Sequence, residues 1–330
     1  MTRRWKWDFE DEQAAAGTPS PPALRPPSSP PLAPPPRPGA GAGAAQLRRR
    51  RSAAALALVV LIVVLLVALG GSGHGAKKTS AGPGAGSATS SGVAPPPKPN
   101  SEADGNAAVS RVLAYTPFVR LGGGRSKDIA LTFDDGPGPY TPEVLDVLER
   151  FHVHATFFAI GRMERYFSAS TVRAIRDGDV IGDHTESHPQ LAMLSAHDQR
   201  EQLFEQIVRI ELLGGNRPTL FRPPYGSYNA ATMRELNRLH LLMVLWSADT
   251  DDYLQPGVPA IVQRALEGAK PGAILLMHDG GGNRAQTIAA LPTIITRLRA
   301  LGYRLVTVPE LLLHDPPTPG QPLPPNLSGD

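Results

Sequence analysis

The 330-residue chain contains no cysteine. Disulfides and thiolate metal sites are therefore excluded, and any bound metal must be held by His, Asp or Glu. There is no G-x-S-x-G nucleophile elbow and no G-x-x-x-x-G-K-[ST] phosphate loop. Together these absences remove support for a serine hydrolase of that type, a P-loop enzyme and a thiol enzyme. No internal repeat is apparent. Nor is there an excess of basic charge outside the N-terminal region. Residues 1–52 carry nine Lys/Arg against four Asp/Glu, which leaves about −2 for the rest of a chain whose total is +3. A nucleic-acid-binding domain is not suggested.

What is present is uneven. Proline crowds into the first hundred residues and the last fifteen, which together hold 22 of the 35. Residues 1–52 read as a disordered, Pro-rich tail with too little apolar surface to offset the entropy of ordering. From Ala53 to Leu69 every residue is Ala, Leu, Val or Ile, and Gly70 and Gly71 extend the uncharged run to 19 residues. That length suits a transmembrane helix, so 53–71 is expected to cross a bilayer once. Arg48 to Arg51 precede it, and by the positive-inside rule they keep the N-terminus cytoplasmic. A cleaved signal peptide fits less well behind so long a leading segment. Residues 72–125 are expected to be a flexible extracellular linker, and 316–330 a disordered tail. The stretch 126–315 has ordinary globular composition and suffices for one large domain at the outer face of the cell membrane.

Inside that stretch, apolar runs and helical periodicity alternate. Strands are expected at Ile129–Phe133, Ala155–Ile160, from Val180, at Leu220–Phe221, Leu242–Ser247, Ala273–Met277 and Arg304–Val308. Helices are expected at Thr141–Phe151, Ser170–Arg176, Ala196–Leu213, Ala230–Leu239, Val258–Ala269 and Arg284–Leu301. Pro142 suits a first turn, and Pro292 is a candidate kink. The alternation argues for an α/β parallel sheet, open or closed, with functional residues where strands end.

The polar residues obey that expectation. Asp134 and Asp135 follow the first strand, His184 and His188 the third, Arg222 to Tyr225 the fourth, Asp249 and Asp252 the fifth, and His278 and Asp279 the sixth. His184 and His188 lie four apart, which on a helical turn lets both face one metal. Two histidines and a carboxylate suit a hydrolytic metal site, although ferrous oxygenases use the same set. Adjacent Asp134 and Asp135 suit one ligand and one base. Asp252 reads equally as a capping or a groove residue, Asp279 as structural and Trp246 as core. His152, His154, His197 and His240 match no pattern and read as incidental.

Five segments together carry a specific resemblance. IALTFDDGP (129–137), HTESHP (184–189), RPPYG (222–226), DTDDY (249–253) and LLMH (275–278) occur in this order. They resemble the motifs of the polysaccharide deacetylases with a NodB-type domain, carbohydrate esterase family 4, over about 190 residues from Lys127 to Leu313. The resemblance implies a distorted (β/α) barrel. It implies Asp134 as general base, with Arg222 orienting it, and Asp135, His184 and His188 as metal ligands. It further implies the Tyr225 N–H as an oxyanion donor, and His278 as general acid with Asp249 supporting its charge. Tyr253 stands where the family usually has Trp, which bears on groove shape rather than chemistry.

These roles suit amide hydrolysis. A divalent ion, Zn²⁺ or else Co²⁺ or another, activates water and polarises the carbonyl. Asp134 accepts the water's proton, His278 supplies one to the leaving nitrogen, and an N–H meets the developing oxyanion. The expected substrate is acetylated polysaccharide, foremost the N-acetylglucosamine or N-acetylmuramic acid of peptidoglycan. Chitooligosaccharide deacetylation and acetyl-xylan esterase activity would use the same residues. An inactive glycan-binding domain would be marked by loss of the base or acid, and both are present.

Overall fold

The computed structural model describes residues 102–321. Its strands are β1 (Phe118–Val119), β2 (Asp128–Asp134), β3 (Thr156–Ala159), β4 (Val180–Asp183), β5 (Leu220–Phe221), β6 (Leu242–Val244), β7 (Ala248–Asp249), β8 (Ile274–His278) and β9 (Arg304–Val306). Its helices are α1 (Glu102–Leu113), α2 (Thr141–Phe151), α3 (Gly161–Asp177), α4 (Ala196–Leu212), α5 (Ala230–Leu239), α6 (Val258–Glu267), α7 (Ala285–Ala300) and α8 (Val308–His314). The strands form one parallel sheet in the order β1-β6-β5-β4-β3-β2-β8-β7, with β9 paired to the start of β2.

The sheet is strongly curled. Arg222 follows β5, three strands from β2, yet its Nη1 lies 2.7 Å from Asp134 Oδ1. Across a flat sheet three strand spacings would be roughly 14 Å, beyond an arginine's reach. Among the described residues no pairing joins β1 to β7. The expected distorted barrel is thus a curled, open half-barrel.

Side-chain alternation along β2 divides the core in two. Ile129, Leu131 and Phe133 face outward onto α2, α6 and α7, meeting Val144, Leu148, Ile261, Leu291 and Ile295. Ala130 faces inward with Phe158, Leu242, Val244 and Ile274. Ala108, Val109 and Val112 of α1, and Val308, Leu311 and Leu312 of α8, belong to this same inner cluster. These two helices therefore plug the half-barrel below the layer of Thr132 and Asp134.

This plug corrects the expected boundaries. Glu102–Leu113 falls within the expected linker 72–125 but forms α1, and Phe118–Val119, in the same stretch, pairs with β6. Composition misled because EADGNAAVSRVL has only a short apolar stripe and follows a Pro- and Gly-rich segment. Arg304–Val308 ends early as β9, because Thr307 and Glu310 form a capping box that starts α8. Ser170–Arg176 proves to be the end of the longer α3, and Leu242–Ser247 shortens to β6, which stops at Val244 before β7 begins at Ala248. α7 continues through Pro292 as one helix. His152 and His240, read as incidental, are left-handed caps ending α2 and α5. The run 53–71 and the tail 1–52 lie outside the described residues. No described helix is long and apolar enough to cross a membrane.

A fragment starting at Ser126 loses Ala108, Val109, Val112, Phe118 and Val119, all buried. At roughly 1.5–3 kcal/mol per fully buried large apolar side chain, it should melt at least about 10 °C below a fragment starting at Lys98, or fail to fold cooperatively. Equal thermal midpoints by circular dichroism would mean that α1 is not part of the core.

Candidate active site

Every strand that contributes to the site does so from its C-terminal end. Asp134 is the last residue of β2 and His278 the last of β8, and the two are register partners. His184 follows β4 and Arg222 follows β5. The connecting loops hold unusual backbone. Asp135, Thr185, His188 and Tyr225 all have positive φ, at 73°, 70°, 59° and 59°. Non-glycine residues in this region cost on the order of 1 kcal/mol each, and such strain concentrates at functional sites.

Asp135, His184 and His188 converge, with their ligand atoms within 4.8 Å of one another and all three residues buried. Asp135 Oδ1 lies 3.0 Å from His188 Nε2 and 3.4 Å from His184 Nε2. His184 Nδ1 lies 2.7 Å from the Arg222 carbonyl. A carbonyl can only accept, so Nδ1 carries the hydrogen and Nε2 presents its lone pair toward Asp135. Burial holds the His188 pKa below its ordinary value, favouring the neutral form that a metal requires. Burial alone would raise the Asp135 carboxyl, but the protonated forms of His188, His184 and His278 would outweigh it, leaving the group well below the usual carboxylate range. A carboxylate and two neutral imidazoles fit a divalent ion. The expected helical turn is absent: residues 184–188 form an irregular loop, and its left-handed Thr185 and His188 bring the rings together.

Gly281 packs against this cluster. A Cβ there would lie 2.7 Å from Asp135 Oδ2, φ is +75°, and Arg284 Nη2 holds the Gly281 carbonyl at 2.9 Å. Gly281→Ala should displace the Asp135 carboxylate and weaken zinc binding by about 10-fold or more. Unchanged affinity by titration calorimetry would show that the loop yields instead.

Asp134 is held from the other side. Arg222 is wholly buried, and its Nη1 donates to Asp134 Oδ1 at 2.7 Å and to Thr132 Oγ1 at 2.8 Å. Its Nε donates to the Val244 carbonyl at 3.0 Å, and the guanidinium lies 4.1 Å from the Phe158 ring centroid. Trp246 is partly buried against a further apolar cluster that includes Leu203, Phe221 and Met243, and lies 5.8 Å from the same guanidinium.

His278 is paired differently from the sequence expectation. Its Nδ1 lies 2.7 Å from Asp252 Oδ1, and its backbone N–H donates to Asp252 Oδ2 at 2.9 Å. Burial lowers the imidazole pKa, but the Asp252 charge and hydrogen bond dominate and push it up to about 9. Asp249, to which the supporting role was assigned, instead accepts from the Asp251 N–H at 2.9 Å. Asp249 influences His278 only through longer-range charge, and burial raises its own pKa. The motif offered two acids three residues apart. The choice depends on the short turn Asp252–Leu254, entered through left-handed Asp251 (φ 48°), which spacing alone does not reveal.

Two aromatic residues border the site. The Tyr225 ring lies 4.6 Å from His188, and the half-buried Tyr253 ring lies 5.4 Å from His278. Burial and the neighbouring carboxylates push Tyr253 up to about 12, so it stays neutral. Asp279 is structural, as expected. Its Oδ2 accepts from the Thr141 hydroxyl at 2.6 Å, tying the end of β8 to the start of α2.

A parallel α/β half-barrel with a His₂–Asp cluster, a buried Arg–Asp pair and an Asp–His pair on one rim defines a hydrolase built around a divalent metal site. Residues 122–244 match the family model described as polysaccharide deacetylase. The chain is 41% identical over 199 residues to a peptidoglycan-N-acetylglucosamine deacetylase of Bacillus cereus, covering 57% of this chain and 89% of that protein. It is 38% identical to the peptidoglycan-N-acetylmuramic acid deacetylase PdaC of Bacillus subtilis, covering 56% of this chain but 38% of that one. A chitooligosaccharide deacetylase of Azorhizobium caulinodans is 34% identical, with 55% and 92% covered. Among solved structures, a peptidoglycan N-acetylglucosamine deacetylase superposes with a TM-score of 0.58 at 34% identity, covering 61% of this chain and 95% of that one. A family pseudoenzyme from Bacillus anthracis superposes with a TM-score of 0.56 at 30% identity, covering 60% and 69%. The chain belongs to the polysaccharide deacetylase family.

Proposed function

We propose that the protein removes N-acetyl groups from peptidoglycan amino sugars, N-acetylglucosamine foremost, releasing acetate at the outer face of the cell membrane. The observation that carries this reading is the division of the site. Asp134 is held by Arg222 beside the His₂–Asp cluster, and His278 is held by Asp252 on the adjacent strand.

Asp135, His184 and His188 would hold a divalent ion, Zn²⁺ in this reading, which would supply Lewis acidity toward the acetyl carbonyl and a bound water. Asp134 takes the proton of the attacking water, and the buried Arg222 guanidinium, donating to Oδ1 at 2.7 Å, orients its carboxylate. The Tyr225 N–H donates to the carbonyl oxygen as negative charge develops there. His278 protonates the amide nitrogen as the C–N bond breaks, giving acetate and a free amine. Tyr253 forms an aromatic wall beside His278. The names of the similar proteins support peptidoglycan or chitin-like substrates. The Arg48–Arg51 cluster and the 19-residue uncharged run 53–71 support a single-pass anchor with residues 1–52 cytoplasmic. A family that includes a pseudoenzyme makes the retained base and acid informative, since both groups needed for turnover remain.

The test is acetate release by the full chain from peptidoglycan and from chitin oligomers. Release from peptidoglycan should be abolished by chelation and restored by zinc. Release from chitin oligomers alone would redirect the substrate, and none from either would overturn the reading.

A further inference from the structure

Asp252 is itself held by a residue that lies outside the five sequence motifs. Thr287, in the first turn of α7, is 1% exposed, and its hydroxyl donates to Asp252 Oδ2 at 2.7 Å. The carboxylate is thereby fixed on both oxygens. Oδ1 faces His278 Nδ1 at 2.7 Å, while Oδ2 accepts from the His278 N–H at 2.9 Å and from Thr287. Rotation about the Asp252 side chain would break all three contacts at once. The imidazole, tied through Nδ1, must then present Nε2 to the substrate side.

We propose that Thr287 is a positioning residue for proton donation by His278, acting through the Asp252 carboxylate. The proposal rests on the deacetylase reading above. The hydroxyl holds the carboxylate in the rotamer that places Oδ1 2.7 Å from His278 Nδ1, and a carboxylate held that close stabilises the imidazolium. Removing the hydroxyl leaves Oδ2 with one donor and loosens the side chain. The Asp252 pKa is already held low: burial opposes this, but His278, Thr287 and Arg284 outweigh it. Other charges face the pair as well. Asp134 and Asp135 from β2 act on His278, as does Asp249 from β7, and Tyr253 borders it. None of these is altered by a change at Thr287.

Thr287→Val preserves shape and removes only the hydroxyl. In the full chain it should lower kcat about 10-fold with KM unchanged, and move the alkaline limb of kcat down by roughly 0.5–1 pH unit. Thr287→Ser should restore both. A structural role alone would lower the melting temperature without moving the limb. NMR titration of the His278 imidazole, assigned by its loss in His278→Ala, provides a readout independent of turnover. Its pKa should be lower in Thr287→Val than in the native chain. Superimposable titrations, or a serine variant as impaired as the valine one, would overturn the proposal. If the native chain releases no acetate while the titration still shifts, the deacetylase reading fails and the Thr287–Asp252–His278 coupling stands.

Discussion

Asp134→Asn should reduce acetate release by about 10³-fold while leaving the metal content unchanged. The substitution keeps the size of the side chain and an oxygen that Arg222 can still address, but the amide cannot take a proton. General-base catalysis is worth roughly 10²–10⁴ in rate. Asp135, His184 and His188 are the cluster that could hold a metal, and the substitution changes none of them, so elemental analysis should find the same metal stoichiometry as in the native chain. A second effect follows from burial. Arg222 is wholly buried and Asp134 is its carboxylate partner at 2.7 Å. Neutralising one member of a buried pair leaves an uncompensated charge and costs about 3–5 kcal/mol. The remaining acceptors, Thr132 Oγ1 and the Val244 carbonyl, offset part of this. The melting temperature should therefore fall, and rates must be compared well below it. Native turnover in the folded variant would remove Asp134 from the base role. Loss of metal together with activity would mean instead that Asp134 supports the His₂–Asp cluster.

The extent to which the sequence discloses this site follows from the reach of its signals. β2 is legible because a strand covered on both faces must be apolar almost throughout, and its end is marked by two adjacent acids. α2 is legible to the residue, since Pro142 marks its first turn and Val144, Leu145 and Leu148 give its buried face. The convergence of Asp135, His184 and His188 is legible as chemistry, because consecutive parallel strands deliver their ends to one rim. The local geometry is not. The four-residue spacing of the histidines suggested helix, whereas left-handed Thr185 and His188 accomplish the convergence in a loop. α1 escapes because a helix whose role is to plug a half-barrel needs only three small apolar contacts, Ala108, Val109 and Val112, and can otherwise resemble a linker. Thr287 escapes for a different reason. It lies in α7, and only tertiary folding places it 2.7 Å from Asp252.

The pairing of His278 with Asp252 rather than Asp249 can be read out as a pH profile. In the proposed reaction, protonation of the leaving nitrogen needs His278 in its charged form, and with the imidazole pKa pushed up to about 9 that form persists through neutral pH. Asp252→Asn removes the dominant contribution that raises this pKa, while burial, which lowers it, remains. The alkaline limb of kcat should therefore move to lower pH, and the rate at pH 7 should fall by roughly 10- to 100-fold. The rate should recover in part as the medium is acidified toward the new pKa. Asp249→Asn should behave differently. Asp249 accepts from the Asp251 backbone and influences His278 without touching it, so its loss should shift the limb by only a few tenths of a pH unit. The comparison is decisive because both substitutions remove one negative charge from the same turn, and they differ only in which carboxylate meets Nδ1. A larger displacement of the limb by Asp249→Asn than by Asp252→Asn would reassign the partner. Equal small displacements would mean that the hydrogen bond orients His278 without setting its charge, in which case Asp252→Asn should lower kcat uniformly across pH.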